Sequence, residues 1–106
     1  MLNQVICVGR LVKNVEVNEL EGGKKVANIT LAIPRSFKNA EGEYDTDFIN
    51  IILWGVVAEN VSEYCHKGDV LGIKGRLQKE KKDNRLQVIA DKVTFLSSKK
   101  DDKEDN

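Results

Sequence analysis

Phe48 and Trp54 share one side of an alternating segment, residues 46–54 (TDFINIILW). Its even positions are Thr46, Phe48, Asn50, Ile52 and Trp54; its odd positions are Asp47, Ile49, Ile51 and Leu53. A period of two marks a half-buried strand. The aliphatic odd side is the natural core face, so the even side presents two rings with the Asn50 amide between them. At a rise of roughly 3.3 Å per residue, the rings stand about 20 Å apart. Such a face can act as a platform for nucleic-acid bases, because every base has a π-face and stacking tolerates any sequence. The competing expectation is that both rings pack beneath a neighbouring element, as aromatic side chains usually do.

Other residues suited to the same chemistry lie nearby. Arg35, Phe37 and Lys38 form a cation-aromatic-cation cluster ahead of the polar turn Asn39-Ala40-Glu41-Gly42-Glu43. Residues 74–85 hold six basic side chains, Lys74, Arg76, Lys79, Lys81, Lys82 and Arg85, against only Glu80 and Asp83. Acids gather elsewhere, at Glu16, Glu19 and Glu21, at Glu41, Glu43, Asp45 and Asp47, and at the C-terminus. A net charge of zero is not the overall signature of a nucleic-acid binder, so the uneven distribution carries the argument. Lys24 and Lys25, beside Gly22 and Gly23, read as solvated loop lysines.

Several chemistries find no support. Cys7 and Cys65 stand far apart and His66 is the only histidine, so neither a disulfide framework nor a metal-ligand spacing is visible. Both cysteines read as reduced packing residues. No cofactor motif, nucleophile-base constellation or glycine-rich phosphate loop is present, so an enzyme is not expected. At 106 residues, 41% hydrophobic and 32% charged, the chain reads as one soluble domain. No apolar run approaches the roughly 18 residues of a membrane span and no signal peptide opens the sequence, so a cytoplasmic location is expected.

The elements that must position these residues follow in chain order. Residues 3–13 (NQVICVGRLVK) form a first strand, in which Gly9 marks a bulge or a close backbone approach. Val15, Val17 and Leu20 continue it after a bend. Residues 27–33 alternate as a second strand, and Pro34 marks an edge, a bulge or the end of ladder pairing. The third strand ends at Gly55. Val57, Ala58, Val61, Tyr64 and Cys65 then recur at helical spacing, with His66 in the last turn and Gly68 as the stop. Residues 69–78 form a fourth strand with bends at Gly72 and Gly75, residues 79–85 a basic hairpin tip, and residues 86–96 a fifth strand with Phe95 in the core. The expected fold is all-β, a five-stranded Greek-key barrel of the OB type with one short helix between strands 3 and 4. Barrels of that type bind oligonucleotides on the face of strands 2 and 3 and by their loops.

Over residues 1–96 the sequence also resembles the bacterial-type single-stranded DNA-binding proteins. The resemblance rests on NQVICVGRLVK, VANITLAIPRSFKN, DFINIILWG, AENVSEYCHKGD and GIKGRLQ, in that order and spacing. It implies single-stranded DNA as partner, with base stacking on Phe37, Phe48 and Trp54. Arg10, Lys13, Arg35, Lys67, Lys74, Arg76 and Lys79 are implied along the path of the strand, some by match and some by charge alone. Lys38, Asn50, Lys81, Lys82 and Arg85 complete the candidate DNA-binding set. The resemblance further implies a homotetramer in which first strands pair, giving Asn3, Gln4, Val5, Ile6, Cys7 and Val8 as an interface. Work at the nucleoid in replication, recombination or repair would follow.

The sequence departs from the family pattern in three places. Lys81-Lys82 stands in a short hairpin where the family often offers an aromatic ring. Pro34 is unusual for its strand. Residues 97–106 read as a short charged tail, expected to be disordered, without an acidic tip ending in Pro-Phe, which leaves the recruitment of replication and repair proteins through such a tip doubtful. Two other readings compete: an OB module for protein contact, such as a primosomal adaptor, and an RNA-binding OB protein.

Overall fold

The computed structural model describes residues 2–98. Its elements are β1 (Val5–Leu11), β2 (Val17–Glu19), a 3-10 turn (Glu21–Gly23), β3 (Lys25–Lys38), β4 (Tyr44–Trp54), α1 (Gly55–Tyr64), β5 (Val70–Lys79) and β6 (Leu86–Ser97). The eight residues that follow position 98 include most of the expected charged tail and lie outside the described residues.

Five strands close a barrel. β1 pairs antiparallel with β3 at one end (Arg10↔Ala32, Leu11↔Leu31) and with β5 along most of its length. β3 pairs with β4, and β5 with β6, both antiparallel. The parallel contact of β4 with β6, Ile51↔Val88 and Ile52↔Ile89, completes the circuit. β2 lies outside this ring, paired only to the start of β3. The architecture is the expected OB barrel, with α1 between β4 and β5.

The core follows from the alternation. Ala27, Ile29 and Leu31 of β3 and Ile51 and Leu53 of β4 point inward to meet Leu11, Leu71 and Ile73. Burial of each large aliphatic side chain stabilises the fold by about 1.5–3 kcal/mol. Ala58 and Val61 of α1, and Cys65 just beyond it, join the same cluster.

Two glycines are required by close approach. A Cβ at Gly9 would stand 2.7 Å from Ile33 Cγ1, where β1 crosses β3. One at Gly75 would stand 2.0 Å from the backbone oxygen of Ile89. Gly75 sits at a register shift: Lys74↔Lys92 is followed by Gly75↔Ala90, so β6 holds Asp91 as an extra residue. A second shift sets Leu96 as an extra residue between Val70↔Ser97 and Leu71↔Phe95.

These shifts correct one expectation. Phe95 is not in the core but 47% exposed: it pairs with Leu71 at the last step before the register shift at Leu96, where the regular β5–β6 ladder gives out. The helix also ends earlier than its pattern suggests. Cys65 is already extended (φ −117°, ψ 142°), so His66 falls outside the last turn. Gly68 (φ 96°) belongs to the next turn, where the Asp69 carboxylate accepts the His66 backbone N–H at 2.7 Å. Tyr64 is exposed rather than packed. Of the alternatives at Pro34 the bulge holds: Pro34 pairs with Thr46, the register shifts beyond it, and β3 runs on to Lys38.

Candidate nucleic-acid interface

The outer face of β3 and β4 is set by their register. Val26↔Trp54, Asn28↔Ile52, Thr30↔Asn50, Ala32↔Phe48 and Pro34↔Thr46 face one another across the ladder. The partners opposite the rings are small or aliphatic, so nothing on β3 covers them. Phe48 is 64% and Trp54 42% exposed, which sets aside the packing alternative for both. Between them the Thr30 hydroxyl donates to Asn50 Oδ1 at 2.8 Å, which orients the amide and leaves its NH2 group for other partners.

A groove of about 420 Å³ runs beside this face, lined by Lys13, Asn28, Thr30, Asn50, Ile52, Arg85, Leu86 and Gln87. It exists because the segment after β1 and the β5–β6 hairpin rise on either side of the sheet. Gln87 donates to Glu80 at 3.0 Å across that hairpin, and Asn84 takes a left-handed conformation (φ 56°) to close its turn. The groove joins a cation at each wall to amides and an aliphatic patch on its floor. That combination suits a flexible polyanion whose bases are exposed.

Beyond Pro34 the β3–β4 pair extends as an arm. Pro34↔Thr46 is followed by Lys38↔Tyr44, so three residues of β3 lie opposite Asp45 alone. Phe37, 65% exposed, sits inside this bulge rather than at the start of the loop. The tip is a built turn: Asn39 Oδ1 accepts the backbone N–H groups of Glu41 (2.9 Å) and Glu43 (3.0 Å), with Gly42 at φ 80°. Arg35 donates to both carboxylate oxygens of Asp47 at 3.0 Å each. Their contact holds the Asp47 carboxyl below its ordinary pKa and raises that of Arg35.

The remaining candidate cations are spread around the barrel. Lys13 and Arg85 line the groove. Lys79, Lys81 and Lys82 are exposed on or beside the hairpin that carries Arg85, outside the groove lining. Arg10 Nη1 donates to the Gly68 carbonyl at 2.6 Å, and the Lys67 backbone N–H to Asn14 Oδ1 at 2.9 Å, which ties both near the segment after β1. Arg76 is paired with Asp91. Lys74 is not brought to the groove at all; it faces Lys92 on the outer side of β1, β5 and β6, in a hollow with Ile6 and Val8.

Of the residues expected at an oligomer interface, Ile6 and Val8 face that same outer side, while Val5 and Cys7 alternate toward the inside, where Cys7 packs against the core. Ile6 is 71% and Val8 50% exposed, Val5 and Cys7 are half-buried, and Gln4 is exposed. The Asn3 amide bridges to both backbone groups of Leu77 at 2.8 Å, extending the β1–β5 ladder by a side chain. Val5 to Val8 pair with β5 on one edge, and because β1 meets β3 only at Arg10 and Leu11, the opposite edge over Val5 to Val8 has no strand partner among the described residues.

A profile of the single-strand binding protein family matches residues 2–96. The chain belongs to the single-strand binding protein family. Within that family it is similar to single-stranded DNA-binding protein B of Bacillus subtilis (strain 168), at 42% identity over 106 residues, covering 93% of this chain and 94% of that one. It is also similar to single-stranded DNA-binding protein 1 of Staphylococcus aureus (strain MSSA476), at 43% identity over 109 residues, covering 96% of this chain and 70% of that one. The crystal structure of the wild-type single-stranded DNA binding protein from Thermus aquaticus superposes with a TM-score of 0.77 at 26% identity, over 91% of this chain. The chain spans half the length of that protein.

Sequence reasoning missed Asn28, Thr30, Ile52, Leu86 and Gln87 in the groove. Asn28 and Thr30 carried a signal, since they are the outward positions of the second alternating strand. Ile52 shares parity with the rings, but an aliphatic side chain there carries no binding signal of its own. Leu86 and Gln87 had no local signal, because only the closure of β6 onto β4 brings them there.

Proposed function

We propose that this protein binds single-stranded DNA with little sequence preference and shields it during replication, recombination or repair. The observation that carries this reading is the pair of exposed rings, Phe48 and Trp54, on the strand face that also floors the groove between Lys13 and Arg85. Bases stack on Phe48, Trp54 and Phe37, while phosphates meet Lys13, Arg85 and the other cations bordering the path. Stacking contributes roughly 1–3 kcal/mol per base, so three rings supply about 6 kcal/mol, or about four decades of affinity. One subunit alone therefore binds weakly.

Residues 1–96 form the binding domain in this reading. Assembly into a homotetramer, with Asn3 to Val8 of neighbouring subunits pairing along the open edge of β1, links several sites and multiplies their effective concentration. The relatives are bacterial proteins named for single-stranded DNA binding, which supports the same partner here and a place in the cytoplasm at the nucleoid. Among the described residues no helix is long and apolar enough to cross a membrane.

The test follows the fluorescence of Trp54, the only tryptophan, during titration with oligo-dT at low and high salt, with duplex DNA and poly-U as controls. Saturable quenching by oligo-dT that weakens with salt and is absent with duplex is the expected result. Quenching by poly-U at least as tight as by oligo-dT would favour an RNA partner. No binding at low salt would overturn the reading.

A further inference from the structure

Tyr44 opens β4 and has no part in the groove. We propose that Tyr44 is an additional base-stacking residue, so that the β3–β4 arm holds a nucleotide beyond Phe48. This inference rests on the single-stranded DNA reading above.

Four observations carry it. First, the extra residues at the arm bulge belong to β3, so the alternation of β4 is unbroken from Tyr44 to Trp54. Tyr44 therefore stands on the face of Phe48 and Trp54, roughly 13 Å beyond Phe48 along the strand. Second, its ring is 56% exposed, comparable to the 64% of Phe48. Third, Lys38 lies across the ladder with Nζ over one face of the Tyr44 ring, 5.8 Å from its centroid, a cation–π contact that keeps a positive charge at the ring for a nearby phosphate.

The fourth observation concerns the acids that would repel a phosphate backbone. Asp45 and Asp47 fall on the opposite face of β4, and each is engaged there: Asn39 Nδ2 donates to Asp45 at 3.1 Å, and Arg35 holds Asp47. Glu41 and Glu43 sit in the turn beyond Tyr44, where Asn39 holds their backbone N–H groups. β4 thus carries Tyr44 and Phe48 on one face of the arm, with Lys38 across from Tyr44, and Asp45 and Asp47 on the other. Only the first is continuous with the groove side of the sheet. Because the Asn39 turn and the Arg35–Asp47 pair hold the arm in place, stacking on Tyr44 needs little further ordering of the chain.

The experiment compares the wild-type protein with Tyr44→Ala and Tyr44→Phe in titrations with oligo-dT of graded length. On long oligonucleotides Tyr44→Ala should weaken binding about 5- to 100-fold, while Tyr44→Phe, which keeps the ring, should bind like wild type. On oligonucleotides too short to reach the arm, all three should be equal. A long oligonucleotide carrying 5-iodo-deoxyuridine should cross-link photochemically to Tyr44 in the wild-type protein. Unchanged affinity of Tyr44→Ala at every length, an equal loss at every length, or cross-links at Phe48 and Trp54 but none at Tyr44 would overturn the inference and leave the single-stranded DNA reading standing. Failure of the wild-type protein to bind oligo-dT at any length would overturn both.

Discussion

Arg35 grips the carboxylate of Asp47 through two parallel hydrogen bonds, Nε to Oδ2 and Nη2 to Oδ1, each 3.0 Å. Asp47 alternates with Phe48 along β4, so its partner is drawn to the side of the arm away from the rings. A cation that stands beside an exposed aromatic in the sequence is thus committed to holding the arm. Arg76, paired with Asp91, is similarly engaged.

A salt titration separates the two roles. Neutralising a phosphate on a single strand contributes about 0.7 to the log-log salt slope. Lys13→Gln and Arg85→Gln should each lower the slope by about that amount. Arg35→Gln should weaken binding through the arm with the slope unchanged. A fall of about 0.7 for Arg35→Gln would show that its guanidinium leaves Asp47 for a phosphate.

Acid should erase the contribution of the Arg35–Asp47 pair to stability. The folded-state pKa of Asp47 lies below its ordinary 3.8, chiefly through the hydrogen bond from Arg35. A lowered pKa means that the stabilisation is complete above the unfolded value and is lost as pH falls through the folded one. Because the pair is exposed, the effect is small and screened by salt. Urea denaturation should place Asp47→Asn slightly below wild type at pH 7, with the gap closing at pH values under 3.8. A gap that persists in acid would mean that the substitution acts through something other than the pair.

Phe48→Ala and Trp54→Ala should each weaken oligo-dT binding by about 1–3 kcal/mol while the urea midpoint stays near that of wild type. Phe48 is 64% and Trp54 42% exposed, so neither truncation leaves an enclosed cavity. Loss of folding with unchanged affinity in the folded fraction would return the rings to a structural role.

Gly75→Ala should be among the most damaging single-methyl additions in the barrel. The new Cβ meets backbone, the Ile89 oxygen at 2.0 Å, whereas at Gly9 the nearest atom, Ile33 Cγ1 at 2.7 Å, belongs to a side chain. Overpacking typically costs about 1–3 kcal/mol and occasionally more. Thermal unfolding should rank Gly75→Ala below Gly9→Ala; the reverse order would mean that β6 yields more readily than β1.

Both thiols should resist alkylation. Burial pushes the Cys7 thiol above its ordinary pKa, and burial followed by the Asp69 charge does the same for Cys65. Because only the thiolate reacts, iodoacetamide at pH 8 should modify the folded protein more slowly than a free cysteine. Denaturant should restore the ordinary rate at both positions.

The sequence by itself determined the alternating faces of β3 and β4, the helix after Gly55, and the barrel class. These are local properties: a period of two or of 3.6 places side chains before any contact forms. That Phe48 and Trp54 share one face was legible for that reason; that no neighbouring element covers them was not, since aromatic rings usually pack. Only the tertiary structure decided which polar residues share the groove and which cations are free. Leu86 and Gln87 reach Asn50 and Ile52 because β6 closes the barrel against β4, a pairing of segments more than thirty residues apart. The fate of Phe95 and Arg35 was hidden for a related reason. The register shifts on β6 and β3 arise from how strands meet across the barrel, which no single stretch of sequence displays.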